Sequence, residues 1–447
     1  MDAPVKTFPS ERWSSFTCCG SDEEEASLRG FIESVNKPAL IEHALDILGV
    51  TMTISEPFSI GQSWCCLELV APDRESFIIA RLQVSQDPEG TSDLSNSYAI
   101  ECEVATMAYV RDNVEGVTVP KVYAYEGPGS AGAAKVGAVY MLIEGFFGNT
   151  AADVELQLYN LPIATQQHFI AQWTSIQASL ASHTFPQIGS IRHYTPSTGP
   201  IIGPLSSATS FTTAGPFTSA HAYFTALAAS ILTKALSGPH PYRPAILGAL
   251  IFRAIVRDTP LFRDDGPGPF PLNHMDLGIQ NLLIDPATYD ILAVIDWEMA
   301  HAAPWLTYAS YPMPFPSYHS DRETAARLHD PAHVAHVNVA RQLGSQRLYR
   351  RGFLDAERRL RGQGWPLGRS IAAGLEGDDA GRVLFVAEKL GHWSMDKQLT
   401  YELVRVGFGL EGEAAREYAR GVEAEFQKEL EGGGGTWNGQ PEVEREV

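Results

Sequence analysis

The sequence predicts an α+β chain in two parts: a first part of antiparallel strands carrying one helix, and a second part that is mostly helical. Three observations carry this. At 447 residues the chain exceeds what one ordinary hydrophobic core organises. From Thr51 the apolar residues come in short runs broken by turn residues, as successive strands require. After Gly148 the apolar spacing turns helical and stays so, apart from one compact hairpin pattern. A hydrophobic fraction of 44% against 19% charged is that of a globular chain with a sizeable core.

The first 50 or so residues read as an approach segment, in which the acidic cluster Asp22 to Glu25 leads into the helical pattern LRGFIESV. TMTISEPFSI, WCCLELVA and SFIIARLQV then read as three antiparallel strands separated by GQ and PDRE turns. IECEVATMAYVRDNV is a helix, since Ile100, Val104, Met107, Ala108 and Val110 recur at helical spacing. VPKVYAYE and AVYMLIEGF are two more strands, and GPGSAGAAKVG between them reads as a flexible hairpin connection. In the second part, LPIATQQHFIAQWTSIQASLASH carries a helical stripe from Ile163 to Leu180. The Ser/Thr/Gly/Pro-rich stretch from Tyr194 to Ala220 has the length of a binding loop or lid. Helix is expected again from His221 to Ile255, then a hairpin of NLLID, a turn at PATYD, and ILAVID. Residues 322 to 430 read as mostly helical, and the Gly-rich end as a disordered tail.

A net charge of −20 argues against a sequence-independent grip on nucleic acid and leaves a cationic small molecule among the partners the surface would suit. The five cysteines, Cys18, Cys19, Cys65, Cys66 and Cys102, match neither a secreted disulfide framework nor CxxC zinc spacing, so a reducing compartment is expected. No basic region followed by an apolar run opens the sequence, and AILGALIFRAIV falls short of the about 20 residues a membrane helix needs. A cytoplasmic protein without a membrane partner is the expectation. HExxH, GxxxxGK[ST] and GxSxG are all absent, which removes the common handles for zinc proteases, P-loop enzymes and α/β-hydrolases. The Arg-rich run from Arg341 to Arg369 alternates with Glu and Leu as a solvated helix face does.

Chemistry concentrates in PLNHMDLGIQNLLIDPATYDILAVIDWEMAHAAP. Asp276 precedes the first hairpin strand, Asn281 opens it, and Asp296 ends the second, so three polar groups can converge at one end of the hairpin. Phosphoryl transfer needs such a set: a carboxylate to orient the acceptor hydroxyl, and oxygen ligands to hold Mg²⁺ against nucleotide phosphates. The order HxDxxxxN, a turn, then a hydrophobic strand ending in IDWE resembles the aminoglycoside phosphotransferase family, relatives of the protein kinases, and with VPKVYAYE, IAQWTSIQASLASHTFPQIGSI and IIGPL its fungal-type branch. Met275 between His and Asp, and Asp296-Trp297-Glu298 where protein kinases have DFG, favour the small-molecule side of that superfamily. The likeness runs from about Phe58 to Pro316.

The resemblance implies a bilobal protein-kinase-like fold: an N-terminal extension over 1–50, a small lobe over 51–145, a helical large lobe over 146–430 that carries the hairpin, and a tail over 431–447. It implies ATP and Mg²⁺ as cofactors, with transfer of the γ-phosphate to a hydroxyl of a small acceptor. Asp276 would be the catalytic carboxylate, Asn281 and Asp296 the metal ligands, and His274 a support of the loop. Arg81 and Glu103 would take the places of the strand cation and helical glutamate that position phosphates, with Arg81 where the family has Lys. Ser59, Gly61 and Ser63 would cover the phosphates in a glycine-poor loop, and backbone groups near Ile143, Glu144 and Gly145 would meet adenine. Gly189-Ser190 reads as a loop signature. Acceptor walls are sought in the loop from Tyr194 to Ala220, at Glu298 and in WLTYASYPMPFPSYH. A nucleotide-binding module without turnover is the alternative, motivated by Arg81 and the poor glycine loop. The identity of the acceptor and the oligomeric state are not legible.

Overall fold

The structure is a computed structural model that describes residues 7–12, 22–60, 63–84, 93–152, 158–206, 214–237, 242–263, 268–311, 321–377, 379–390 and 396–432. Cys18, Cys19, Gly61 and the tail from residue 433 therefore lie outside the described residues.

Strands β1 (Thr53–Ile54) and β2 (Ser59–Ile60) both pair with β3 (Trp64–Val70); β4 (Phe77–Gln83), β5 (Val122–Glu126) and β6 (Tyr140–Glu144) complete the sheet. Its order is β1/β2–β3–β4–β6–β5 with every pairing antiparallel. Apolar residues occupy both faces of the central strands, because helices cover both. Leu67, Leu69, Ile78, Ala80 and Leu142 bury one face against Leu40 and Ala44 of α3 (Lys37–Leu48). Each such aliphatic side chain contributes about 2 kcal/mol when fully buried. On the other face, Trp64, Met141 and Ile143 meet Ile100 of α4 (Asp93–Asn113). The period of two puts Arg81, paired with Cys66 and Met141, on this α4 face. Ahead of α3 lie α1 (Pro9–Arg12) and α2 (Asp22–Ser34). Helix α3 is well delimited: the Asn36 side chain caps it, Pro38 sits in its first turn, and Gly49 closes it at φ 72°.

One connection departs from the expectation. GPGSAGAAKVG is not a plain flexible loop but holds α5 (Ala131–Val136). Ser130 Oγ accepts from the Ala133 N–H at 3.1 Å and Gly137 closes the turn at φ 86°, so an Ala-rich core with good caps overrides the flanking Gly and Pro.

Among the described residues the large lobe has two main cores and a smaller cluster around Leu232, Ile246, Leu250 and Phe426. Helix α6 (Ile163–Ser182) packs Phe169 and Trp173 on Tyr349 and Phe353 of α10 (His336–Gly362). Helices α7 (Ala220–Ser237), α8 (Arg243–Asp258), α12 (Asp379–Glu388) and α13 (Asp396–Phe408) share Phe224, Phe252, Leu384 and Leu403. Around them lie α9 (Asp321–His329), α11 (Ile371–Gly374) and α14 (Gly412–Gly432). The helix expected from His221 to Ile255 is thus two helices; Pro244 in the first turn of α8 suits a start and not a continuation.

Short strands fasten the site. The link after β6 runs into β7 (Asn149–Thr150), which pairs with β12 (Leu282–Ile284), itself paired with β13 (Ile291–Val294). A second set orders β14 (His301–Ala302), β11 (Phe270–Asn273) and β8 (Thr184–Phe185). The expected hairpin is β12–β13. The stretch from Tyr194 is not wholly irregular: β9 (Ile191–Thr195) and β10 (Gly199–Ile202) form a hairpin around Thr198 and Gly199, the latter at φ 70°. The architecture is α+β in two lobes, an antiparallel sheet with its helices and then a helix-rich part, as the motif order implies. No helix among the described residues is long and apolar enough to cross a membrane.

Candidate active site between the lobes

The loop after β11 is shaped by its own side chains. Asn273 Oδ1 accepts from the Met275 N–H at 3.1 Å, its Nδ2 donates to Thr307 Oγ1 at 2.8 Å, and Met275 lies in the left-handed region at φ 67°. His274 between them is fully buried; its Nε2 donates to the Ile295 carbonyl at 3.0 Å and its ring packs on Trp297. That bond ties the loop to the end of β13, and desolvation lowers the imidazole's pKa. Asp276 follows. Its Oδ2 accepts from Asn281 Nδ2 and its Oδ1 from Gln280 Nε2, each at 3.0 Å, while Asn281 Nδ2 also reaches the Asp276 carbonyl at 2.7 Å. Burial raises the Asp276 pKa, and the His274, Gln280 and Asn281 side chains pull it down. Gln280 is a fixed partner that the HxDxxxxN pattern leaves among its unspecified positions.

Asp296, two residues past the end of β13, lies in the left-handed region, at φ 66° and ψ 62°. The turn aims its carboxylate at the small lobe, where Arg81 NH2 donates to Oδ1 at 3.0 Å. Arg81 NH1 donates at 2.6 Å to Glu103 Oε1 on α4. Arg81 is 7% and Glu103 1% exposed, so this is a buried pair with its charge shared by a third, half-exposed partner. Desolvation opposes ionised Arg81, but Glu103 and Asp296 more than offset it and hold its pKa above the ordinary value. Burial likewise pushes the Glu103 carboxyl up against the pull of Arg81. The guanidinium carbon lies 4.7 Å from the centre of the Trp64 ring, and Trp64 Nε1 donates across the lobes to Glu298 Oε2 at 3.3 Å. Burial, with Asp296 and Glu103 adding to it, raises the Glu298 carboxyl to about 7. Glu298 therefore faces the lobe junction and not an acceptor wall.

The structure thus gathers Asp276, Asn281, Asp296, Arg81 and Glu103 from a loop, a hairpin, a strand and a helix. It treats the other expected residues less uniformly. Ser59 pairs with Cys66 within the sheet, and the Ser63 carbonyl accepts from Val84 N. At the link, Glu144 N donates to the Lys121 carbonyl and Gly145 N to that of Phe77 at 3.1 Å. Both N–H groups are engaged, so what Glu144 and Gly145 offer a base is carbonyl oxygen; Ile143 is buried in β6. Gly145 is required sterically, since a Cβ there would lie 2.2 Å from the Phe77 ring. Gly189 is set by a similar crossing, since a Cβ there would lie 2.1 Å from the Gly203 carbonyl oxygen, and Ser190 Oγ accepts from Ser206 N, which makes that pair a packing device. The β9–β10 hairpin packs on α4, with Tyr194 OH accepting from Asn113 Nδ2, and none of its residues lines the cavity beside Asp276.

A cavity of about 160 Å³ opens beside Asp276 and Gln280, with Tyr308 and Tyr311 on one side and Phe385 and Glu388 of α12 on the other. Thr307, Tyr308, Ser310 and Tyr311 of the segment WLTYASY line this cavity; residues 312–320 of its continuation lie outside the described residues. Nothing in the helical pattern around Glu388 singled it out.

Among the described residues no group of three or more His, Cys, Asp or Glu is placed to hold a metal ion alone. Asn281, with its amide nitrogen turned to Asp276, presents its amide oxygen on the opposite side, and Asp296 adds a carboxylate. Two hard oxygen donors fit Mg²⁺, which keeps several waters and takes its remaining ligands from substrate phosphates.

No family model matches the chain, and no curated protein matches it. Among solved structures it is similar to two described as fructosamine-3-kinases. The one from Haemophilus somnus 129PT is 13% identical, covers 81% of this chain and 99% of its own, and superposes with a TM-score of 0.41. The one from Thermobifida fusca YX-ER1 is 13% identical with 83% and 99% covered and a TM-score of 0.42. An ethanolamine kinase from Plasmodium vivax is 11% identical, with 88% and 95% covered and a TM-score of 0.42. Identity and superposition are low, and the chemistry of those proteins is not carried over to this chain.

Proposed function

We propose that the chain is an ATP- and Mg²⁺-dependent phosphotransferase that moves the γ-phosphate to a hydroxyl of a small molecule. The observation that carries this reading is the convergence of Asp276 and Asn281 with Asp296, and of Asp296 with the buried Arg81–Glu103 pair. A fortuitous hairpin has no reason to bring a strand cation and a helical glutamate from the other lobe to its tip.

In this mechanism the acceptor hydroxyl hydrogen-bonds to the Asp276 carboxylate. The hydroxyl oxygen attacks the γ-phosphorus, the bond to the β-phosphate oxygen breaks, ADP leaves, and the proton passes to Asp276 and on to solvent. Gln280 and Asn281 keep the carboxylate from rotating away. Asn281 and Asp296 would hold Mg²⁺, which when bound neutralises charge on the transferring phosphates. Arg81, kept in place by Glu103 and Trp64, would present its guanidinium to the phosphates. The acidity of the chain suits a cationic acceptor.

Replacing Asp276 with Asn tests this. Acceptor-dependent transfer should fall by about 10²- to 10⁴-fold while Mg²⁺·ATP affinity stays within about twofold; a variant that transfers phosphate at the wild-type rate overturns the assignment. The second reading, a nucleotide-binding module without turnover, is favoured by one contact: Arg81 already neutralises the carboxylate that a metal would need. Thermal shift with ATP, with and without Mg²⁺, separates the two, because a module that keeps this bridge gains nothing from the metal.

A further inference from the structure

The side chains of β4 that share a face with Arg81 are Phe77 and Ile79, and Glu68 of β3, paired with Ile79, stands beside them on the same face. Phe77 and Arg81 are four positions apart, a span of about 13 Å along the strand. At the inner end of this row is the Arg81 guanidinium; at the outer end the Phe77 ring lies against Gly145 in the link between the lobes. A nucleotide whose phosphates meet Arg81 lays its base along the row toward that link. Arg81 and Phe77 are buried, and Ile79 between them is left partly open.

Residues from outside the sheet cover the outer end. Phe8, 3% exposed, lies 5.2 Å from the ring centres of both Phe77 and Phe147. Arg74, bridged to Glu11 at 2.9 Å, sets its guanidinium carbon 4.4 Å from the centre of the Phe8 ring. Ser10 meets the buried carboxylate of Glu68, its N–H donating to Oε1 and its Oγ to Oε2, each at 2.6 Å. Without those donors a bare carboxylate would stand next to Ile79.

We propose that residues 8–11 form the outer wall of the site for the nucleotide base, and that docking of this segment and binding of the base favour each other. The proposal rests on the phosphotransferase reading and adds to it a wall that none of its motifs contains. A purine is a flat ring that needs an apolar seat. Ile79 supplies an aliphatic surface, and the cluster of Phe8, Phe77 and Phe147 ends that surface with aromatic rings. Ser10 keeps the Glu68 carboxylate engaged, so no bare charge faces the seat. Whatever orders the segment raises affinity for the base, and the base orders the segment by the same factor.

The test uses the full chain and two probes that differ in the base, Mg²⁺·ATP and Mg²⁺·triphosphate, each titrated by calorimetry. F8A should weaken ATP about 3- to 10-fold and leave triphosphate within about twofold of wild type. F8L refills the space and should recover most of the loss, which shows that unfolding is not the cause. Hydrogen exchange of residues 8–12 in the wild type should slow with Mg²⁺·ATP and not with Mg²⁺·triphosphate. Equal weakening of both probes by F8A is the mark of a loosened link and overturns the proposal. ATP binding that F8A leaves unchanged or tightens, or exchange over residues 8–12 that ATP does not slow, overturns it as well; all three results leave the phosphotransferase reading standing. A wild type that binds neither probe overturns that reading and the proposal with it.

Discussion

Replacing Arg81 with Met removes a charge from a place where its partner cannot reach water. Glu103 is 1% exposed and accepts the shortest contact of the site, 2.6 Å, from Arg81. With the guanidinium gone, a carboxylate is left inside the small lobe, and breaking a buried pair in this way costs about 3–5 kcal/mol. Loss of the stack on Trp64 adds about 1 kcal/mol. A lobe of roughly 100 residues loses about 4 °C or more of midpoint per kcal/mol, so its melting should fall by more than about 10 °C. The double variant R81M/E103Q carries no stranded charge and should regain at least half of that, because two neutral side chains of similar volume refill the space. Differential scanning fluorimetry of wild type, both single variants and the double variant gives the cycle. If R81M melts within about 2 °C of wild type, or the double variant is no better than R81M, then Glu103 is not held by this pair and the account of the phosphate-positioning apparatus is wrong.

Two further outcomes follow from buried groups elsewhere. His301 is 4% exposed and burial lowers its pKa to about 4, so the folded chain excludes a proton that the unfolded chain takes up near pH 6.5. Stability should therefore be intact above that pH and lost progressively as pH falls from about 6.5 to about 4, by about 3 kcal/mol from this group; H301Q should flatten the midpoint-versus-pH curve in that window, and an unchanged slope refutes the assignment. Phe8, immediately before α1, lies 5.2 Å from both Phe77 and Phe147, beside Gly145, while the N–H and Oγ of Ser10 both donate to the buried Glu68 at 2.6 Å. Phe8→Ala should loosen the link between the lobes, seen as faster hydrogen exchange over residues 143–148 and a few-fold weaker ATP binding; unchanged exchange there removes the role of α1 as a brace.

What the sequence made legible was local or ordered along the chain. Asp276, Asn281 and Asp296 could be placed because a short hairpin fixes their relation through strand period, whereas Arg81 and Glu103 were named through the resemblance, whose strand-then-helix order this sequence keeps. Tertiary contacts were not legible: Arg81 meets Asp296 across 215 positions of chain, and Glu388 reaches the Asp276 cavity only because α12 packs there. Glu388 and Lys389 fall in an ordinary amphipathic pattern that carries no mark of chemistry. The missed α5 has a different reason: Gly and Pro on either side argued for a loop, and the Ser130 cap outweighed them. The engaged N–H groups of Glu144 and Gly145 depend on strand partners whose register no pattern specifies.

That residue 81 is an arginine and not a lysine has a geometric consequence that bears on both readings. An ammonium is a single point of charge and meets its partners on one compact centre, whereas a guanidinium presents separate nitrogens in a fixed plane. Here NH1 is given to the small lobe through Glu103 and NH2 to the hairpin through Asp296, so one side chain fastens the two lobes together. Trp64, stacked on the guanidinium and donating to Glu298, repeats that fastening one layer away. NH2 carries two N–H bonds and gives one to Asp296; a phosphate that takes that one frees the carboxylate for a divalent ion, and in such an exchange each ligand favours the arrangement the other needs, a coupling that linkage makes mutual. In an inactive module the same fork would be a permanent clamp. The difference between enzyme and module at this site therefore lies in whether the 3.0 Å contact to Asp296 is exchanged, since the 2.6 Å contact to Glu103 serves either.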